Sequence, residues 1–218
     1  MILKDLYLYP DLGSYPDEIT HNVRDQTRCL CNYLQRIVLK DLRYTTENYR
    51  RLCVIGSEQP DEEMSVNSCN VAGVETYFDV EEYKTKSESE LQEFFISLLL
   101  KGLSNLEEQL APIEKIKAGI ETFRNEGYKN NWIHKSKKIK GTKLKASLHC
   151  NLTMNEFKLV LSVADGNDVK FEKQILETAP DEIAFQHKFK DIVFKENNVL
   201  VVDKLGGVLF ELPINEVI

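Results

Sequence analysis

In the middle of the chain, apolar residues recur every three or four positions. Leu91, Phe94, Phe95, Leu98, Leu99, Leu103, Leu106, Leu110, Ile113, Ile116, Ile120 and Phe123 therefore share one stripe of a helix. Ser87 or Ser89 can cap its start, with Glu90 or Glu93 in the first turn. Pro112 lacks a backbone donor and disfavours helical angles at Ala111, so the spacing predicts a kinked helix or a helical pair over 88–110 and 112–126. Gly127 is placed to stop it.

The pattern on either side differs. Residues 2–9 read as a strand ended by Pro10, and 11–16 as a loop with Gly13 and Ser14. Pro16-Asp17-Glu18 opens a helix carried by Val23, Leu30, Leu34, Ile37 and Val38, over about 19–40. Residues 49–55 and 71–80 read as strands separated by a polar, acidic loop, and are predicted to pair as a long-looped hairpin. After Tyr128 the period falls to two. Candidate strands are 138–151, 156–164, 169–176, 183–195, 198–203 and 208–212. Between them lie Asp165-Gly166-Asn167, Ala179-Pro180-Asp181, Asn197-Asn198 and Gly206-Gly207, turn chemistry that implies antiparallel neighbours. The expected fold class is α+β. It has a mixed N-terminal part with one helix and a strand pair, a central long kinked helix or helical hairpin, and a C-terminal antiparallel β-meander. The expected parts are 1–128 and 129–218, packed as one continuous unit.

Composition narrows the function classes. With 218 residues, 42% of them hydrophobic and 29% charged, the chain is ordinary for a globular protein. No apolar run approaches the roughly 18–20 residues that cross a bilayer. The N-terminus shows no basic-then-apolar leader pattern, so the expected location is the cytoplasm, with no membrane partner. Five irregularly spaced cysteines then imply reduced thiols. A net charge of −7 disfavours nucleic acid and favours a basic protein partner.

That charge is uneven. Residues 57–95 hold eleven acids against Lys84 and Lys86, and residues 129–145 hold seven lysines and no acid. The acidic block is the candidate partner-binding surface: Glu58, Asp61, Glu62, Glu63, Asp79, Glu81 and Glu82, with Tyr77 and Tyr83 as aromatic anchors. The bland alternative is a solvated loop and an acid-rich helix start. The lysine block with Trp132 and Tyr128 fits a phosphate-bearing ligand, or a strand with a solvated or edge-protecting outer face, which weighs more in an acidic chain.

Catalytic and metal signatures are missing. Cys29-Leu30-Cys31 lacks the spacing of a zinc pair, and on a helix its thiols point about 200° apart. His21, His134, His149 and His187 are scattered, and the sequence holds no G-x-S-x-G, no HExxH and no Gly-rich phosphate loop. No catalytic residue, metal ligand or cofactor is assigned.

In size, acidity and lack of a catalytic set, the chain resembles bacterial immunity proteins, which neutralise a toxin by occupying its surface. The resemblance implies a non-enzymatic protein whose acidic block covers a basic toxin face. It carries no residue roles. Two other classes compete: an enzyme or ligand-binding protein with a pocket between helices and sheet, and a homo-oligomeric subunit whose helical stripe packs against a copy of itself.

Overall fold

The computed structural model describes residues 1–61, 63–106 and 110–217. The protein is α+β and divides into two compact units, Met1–Asn130 and Asn131–Ile218.

Unit 1 is built on a four-stranded sheet of β1 (Asp5–Pro10), β2 (Arg51–Ser57), β3 (Ser65–Val66) and β4 (Val71–Tyr77), in the order β1-β2-β4-β3. β2 runs parallel to both β1 and β4, so the hairpin expected of 49–55 and 71–80 is a parallel pair instead. The reason lies in residues 58–70. The connection is long enough to carry the chain back to the start of β2, and β3 makes that return antiparallel to β4. Burial alternates along β1 and β4: Leu6, Leu8, Ala72 and Val74 are buried, while Tyr7, Tyr9 and Glu75 are half-buried.

α1 (Asp17–Leu34) starts after Pro16, continues through a π-turn at Gln35–Leu39 and ends in α2 (Lys40–Leu42), close to the span expected. It lies along β1 and touches two later helices, so Thr27 through Leu34 are all buried. This all-round burial places Cys29 and Cys31 inside despite their opposed directions. Thr27 Oγ1 donates to the Leu8 carbonyl at 2.9 Å, and Gln35 Nε2 to the Leu6 carbonyl at 2.7 Å. Both carbonyls belong to the strand at the end of the sheet, where no neighbouring strand can take them.

α3 (Val80–Thr85) follows β4 directly, and then comes the predicted helical pair, α4 (Glu88–Ser104) and α5 (Ile113–Asn125). The Ser87 backbone N–H donates to Glu90 Oε2 at 2.8 Å, the reciprocal half of a capping box. α4 ends earlier than expected, and 107–109, within the predicted first helix, lie outside the described residues. Gly127 stops α5 at φ +69. α4 packs on β2 and β4. Gly102 makes this approach close, since a Cβ there would overlap Val54. Most of the apolar stripe, from Leu91 to Phe123, is buried within unit 1, with Phe94 and Leu110 half-buried.

Unit 2 contains two antiparallel sheets. One holds β5 (Asn130–Lys138), β6 (Lys145–Leu152), β7 (Phe157–Asp165) and β8 (Asp168–Thr178), and the other β9 (Asp191–Lys195), β10 (Asn198–Val202) and β11 (Val208–Pro213). They share a core that includes Leu148, Phe157, Leu161, Ile192, Val201 and Leu212. Two expectations change. The strand expected at 138–151 spans a turn at Gly141 (φ +78), and the residues before that turn form a separate, lysine-rich edge strand, β5. The strand expected at 183–195 begins as a helical turn, α6 (Glu182–Phe185), because Asp181 caps it by accepting from the Ile183 N–H at 3.0 Å. Phe185 and Phe189, four residues apart, then both stack on Phe157, at 3.8 and 5.6 Å between centroids.

Candidate docking site

Parallel register brings the carboxyl ends of β1, β2 and β4 to one edge of unit 1: Pro10 lies opposite Gly56, and Ser57 opposite Tyr77. The next residues along are Asp11, Glu58 and Phe78, the position where open parallel sheets usually present their ligand sites. Backbone bonds tie these exits together: Asp11 N–H to the Gly56 carbonyl at 2.7 Å, and Phe78 N–H to the Ser57 carbonyl at 2.9 Å. Tyr15 sits among them, buried, its hydroxyl donating to the Phe78 carbonyl at 3.0 Å. Burial pushes its phenol up to about 12, helped by the negative charges of Glu58, Asp11 and Asp79.

From this edge a groove of about 430 Å³ runs between Tyr77, α3 and α4. Tyr77, Asp79, Glu82, Lys86, Glu90, Glu93, Phe94 and Lys101 line it. Tyr77 is 56% exposed, a large aromatic surface open to solvent. Asp79 caps α3, accepting from the N–H groups of Glu81 and Glu82 at 2.9 Å each. Lys86 Nζ meets Glu82 Oε1 at 2.8 Å and lies 6.0 Å from the centre of the Phe94 ring. Glu93 is gripped by Arg124 at 2.8 and 2.6 Å and by the Tyr128 hydroxyl at 2.7 Å, and chiefly the Arg124 bonds hold its carboxyl below the usual range.

The acids named from sequence therefore have different surroundings. Glu58, Asp79 and Glu82 stand at the carboxyl edge and along the groove. Asp61 and Glu63 are exposed in the 58–70 loop, Asp61 accepting from the Glu63 N–H at 3.0 Å and donating its own N–H to Glu75 at 3.1 Å. Glu81 is exposed and pairs with Lys84 at 2.7 Å. Glu62 lies outside the described residues. Tyr83 is not on the surface: it is 8% exposed, its ring packs against Phe78, Phe94 and Phe95, and its hydroxyl donates to Gln26 at 2.9 Å. It supports the groove from below, while Tyr77 faces outward.

Asp11, Tyr15 and Phe94 were missed as site residues. A strand, a helix and a second strand in succession was the available signal, because that order permits a parallel pair with a carboxyl edge.

Elsewhere two of the clustered lysines meet an acid, and two thiols are buried. Lys135 and Lys137 pair with Asp191 at 3.7 and 2.9 Å, and chiefly the Lys137 bond holds the Asp191 carboxyl below its ordinary range. Burial pushes the Cys29 thiol up to about 12 and Cys53 up to about 11, which keeps both protonated. A cavity of about 640 Å³ in unit 2 is lined by Trp132, His149 and Glu172 among others. Among the described residues, no three His, Cys, Asp or Glu side chains are grouped to hold a metal ion, and no helix is long and apolar enough to cross a membrane. Comparisons with family profiles, curated proteins and solved structures find no match for this chain.

Proposed function

We propose that this chain is a non-enzymatic binding protein that docks a basic protein surface on the carboxyl edge of unit 1, as an immunity protein masks a toxin. The observation that carries the reading is Tyr77, largely exposed, between Asp79 and a groove of mixed carboxylate and aromatic lining. Interfaces of this kind gain association rate from charge and residence time from a buried aromatic anchor. The carboxylates supply approach and register, and Tyr77 supplies the area. A basic partner of this character belongs in the same compartment as the chain, which we place in the cytoplasm.

The test is a titration with labelled oligo-arginine and oligo-glutamate peptides at about 50 and 200 mM salt, either side of the range where screening becomes strong. Oligo-arginine is expected to bind, weaken with salt, and lose about tenfold in affinity in the Glu58→Lys/Glu82→Lys variant, the scale of a few lost charge contacts. Equal binding of both peptides, or an unchanged affinity in the variant, overturns the reading.

A further inference from the structure

We propose that the groove is a seat for an arginine side chain, kept closed in the free protein by the chain's own Lys86. The proposal rests on the docking reading and deepens it by naming the ligand chemistry. Four carboxylates and two ammonium groups line the groove; Arg124 already holds both Glu93 oxygens, which leaves Asp79, Glu82 and Glu90 against Lys86 and Lys101. The site therefore favours a cation. Its wall is aromatic, with Phe94 half-buried and Tyr77 open at the mouth. Carboxylate beside ring is the pairing that a flat guanidinium satisfies twice, through forked hydrogen bonds and by lying on the ring.

The chain already holds a cation in that pairing. Lys86 reaches Glu82 at 2.8 Å and the Phe94 ring at 6.0 Å. An ammonium is the weaker occupant, since it is strongly hydrated and makes a single-point contact. Unit 1 already uses both halves of the stronger arrangement. Arg124 forks onto Glu93, and Arg28 and Arg51 lie over the Tyr7 ring at 4.6 and 5.0 Å. An incoming arginine displaces Lys86 from Glu82 and Phe94, and Lys86 swings to solvent on its flexible stem. Free affinity is lowered by the fraction of molecules in which Lys86 occupies the seat.

The experiment measures oligo-arginine and oligo-lysine binding by fluorescence anisotropy for the full chain and three variants. Lys86→Gln is expected to tighten oligo-arginine binding about threefold to tenfold, as removal of a competing closed state requires. Lys84→Gln removes the same charge from a lysine that pairs with Glu81 and does not line the groove, and is expected to change affinity less than about twofold, the scale of one screened surface charge. Phe94→Leu keeps apolar bulk and is expected to erase the preference for arginine over lysine. Equal gains in Lys86→Gln and Lys84→Gln, or no preference for arginine in the unaltered chain, overturn the proposal. If the unaltered chain binds with salt dependence but Lys86→Gln adds nothing specific, closure by Lys86 fails while docking stands. If no variant binds a basic peptide, docking itself fails.

Discussion

Units 1 and 2 each carry one dense run of like charge, and they dispose of it differently. In unit 2 most of the lysines of the run lie along the edge strand β5 and the turn after it. There the strand period splits them between two faces, and Asp191 takes up two. In unit 1 the acids of the 57–95 run come from three places, the exits of β2 and β4 and the start of α4, and the fold gathers several of them beside one groove. A run of charge along a strand is dispersed by the strand's own geometry. Charge at element ends is concentrated when those ends share an edge. The same contrast holds for optical groups: all nine tyrosines fall in unit 1 and the single tryptophan, Trp132, in unit 2.

The largest effect that would sharpen this division is in the core of unit 2. Phe157→Ala removes a ring stacked on Phe185 and Phe189 and is expected to cost about 3–5 kcal/mol, read by Trp132 fluorescence in urea. Trp132 lies 6.1 Å from Phe157 and reports that core directly. Tyrosine signals that shift by the same amount would mean one cooperative transition for both units and would erase the comparison.

Alkali separates the units in the other direction. Burial is the first cause raising Tyr15, Tyr33 and Tyr49 from 10.0 to about 12. Their neutral forms are favoured in the folded state, so the stabilisation is complete below pH 10 and is lost as pH rises through 12. Unit 1 is expected to lose stability over that window, with tyrosinate absorbance rising as it opens. Simple titration of all tyrosines near their ordinary value, with structure intact, would contradict this burial.

Charge reversal tests the groove against the edge strand. Lys135→Glu/Lys137→Glu in β5 is expected to change oligo-arginine affinity less than about twofold, as for exposed charges outside a binding site. Glu58→Lys/Glu82→Lys should have the tenfold effect already given. Comparable effects from the two pairs would mean that net charge alone governs binding.

The smallest expected effect is at acid pH. Arg124 holds the Glu93 carboxyl below 4.5, so the pair contributes above that value and its contribution is lost as pH falls through the folded pKa. Glu93 is about half exposed, so the change in urea midpoint between pH 6 and pH 3 should be only slightly smaller in Glu93→Gln than in the unaltered chain. An equal or larger change in the variant would remove Glu93 from the acid response.

Elements set by local chemistry were legible in the sequence. The Pro16 start of α1, the Ser87–Glu90 cap of α4, the Gly127 stop and the turns at Gly166 and Gly206 all rest on neighbours within a few positions. Strand direction was not legible. Two apolar runs with 58–70 between them look the same whether they pair parallel or antiparallel, and the two-residue β3 that decides it carries almost no pattern. β5 was hidden because an edge strand protected by lysines has little alternation to detect. For the site, Tyr77 and Asp79 were found because composition marks acids and aromatics. Tyr83, six residues on, has the same composition signal but packs inward, and Asp11 and Tyr15 join the edge only through topology.

The side chains of Thr27 and Gln35 bear on how the sheet of unit 1 can grow. By occupying the Leu8 and Leu6 carbonyls they deny a template to any stray chain on that flank. On the far flank β3 covers β4 only at Gly73 and Ala72. Among the described residues the flank beside β4 is therefore the more open to strand addition, and a chain approaching there would meet acidic side chains such as Asp61 and Glu63.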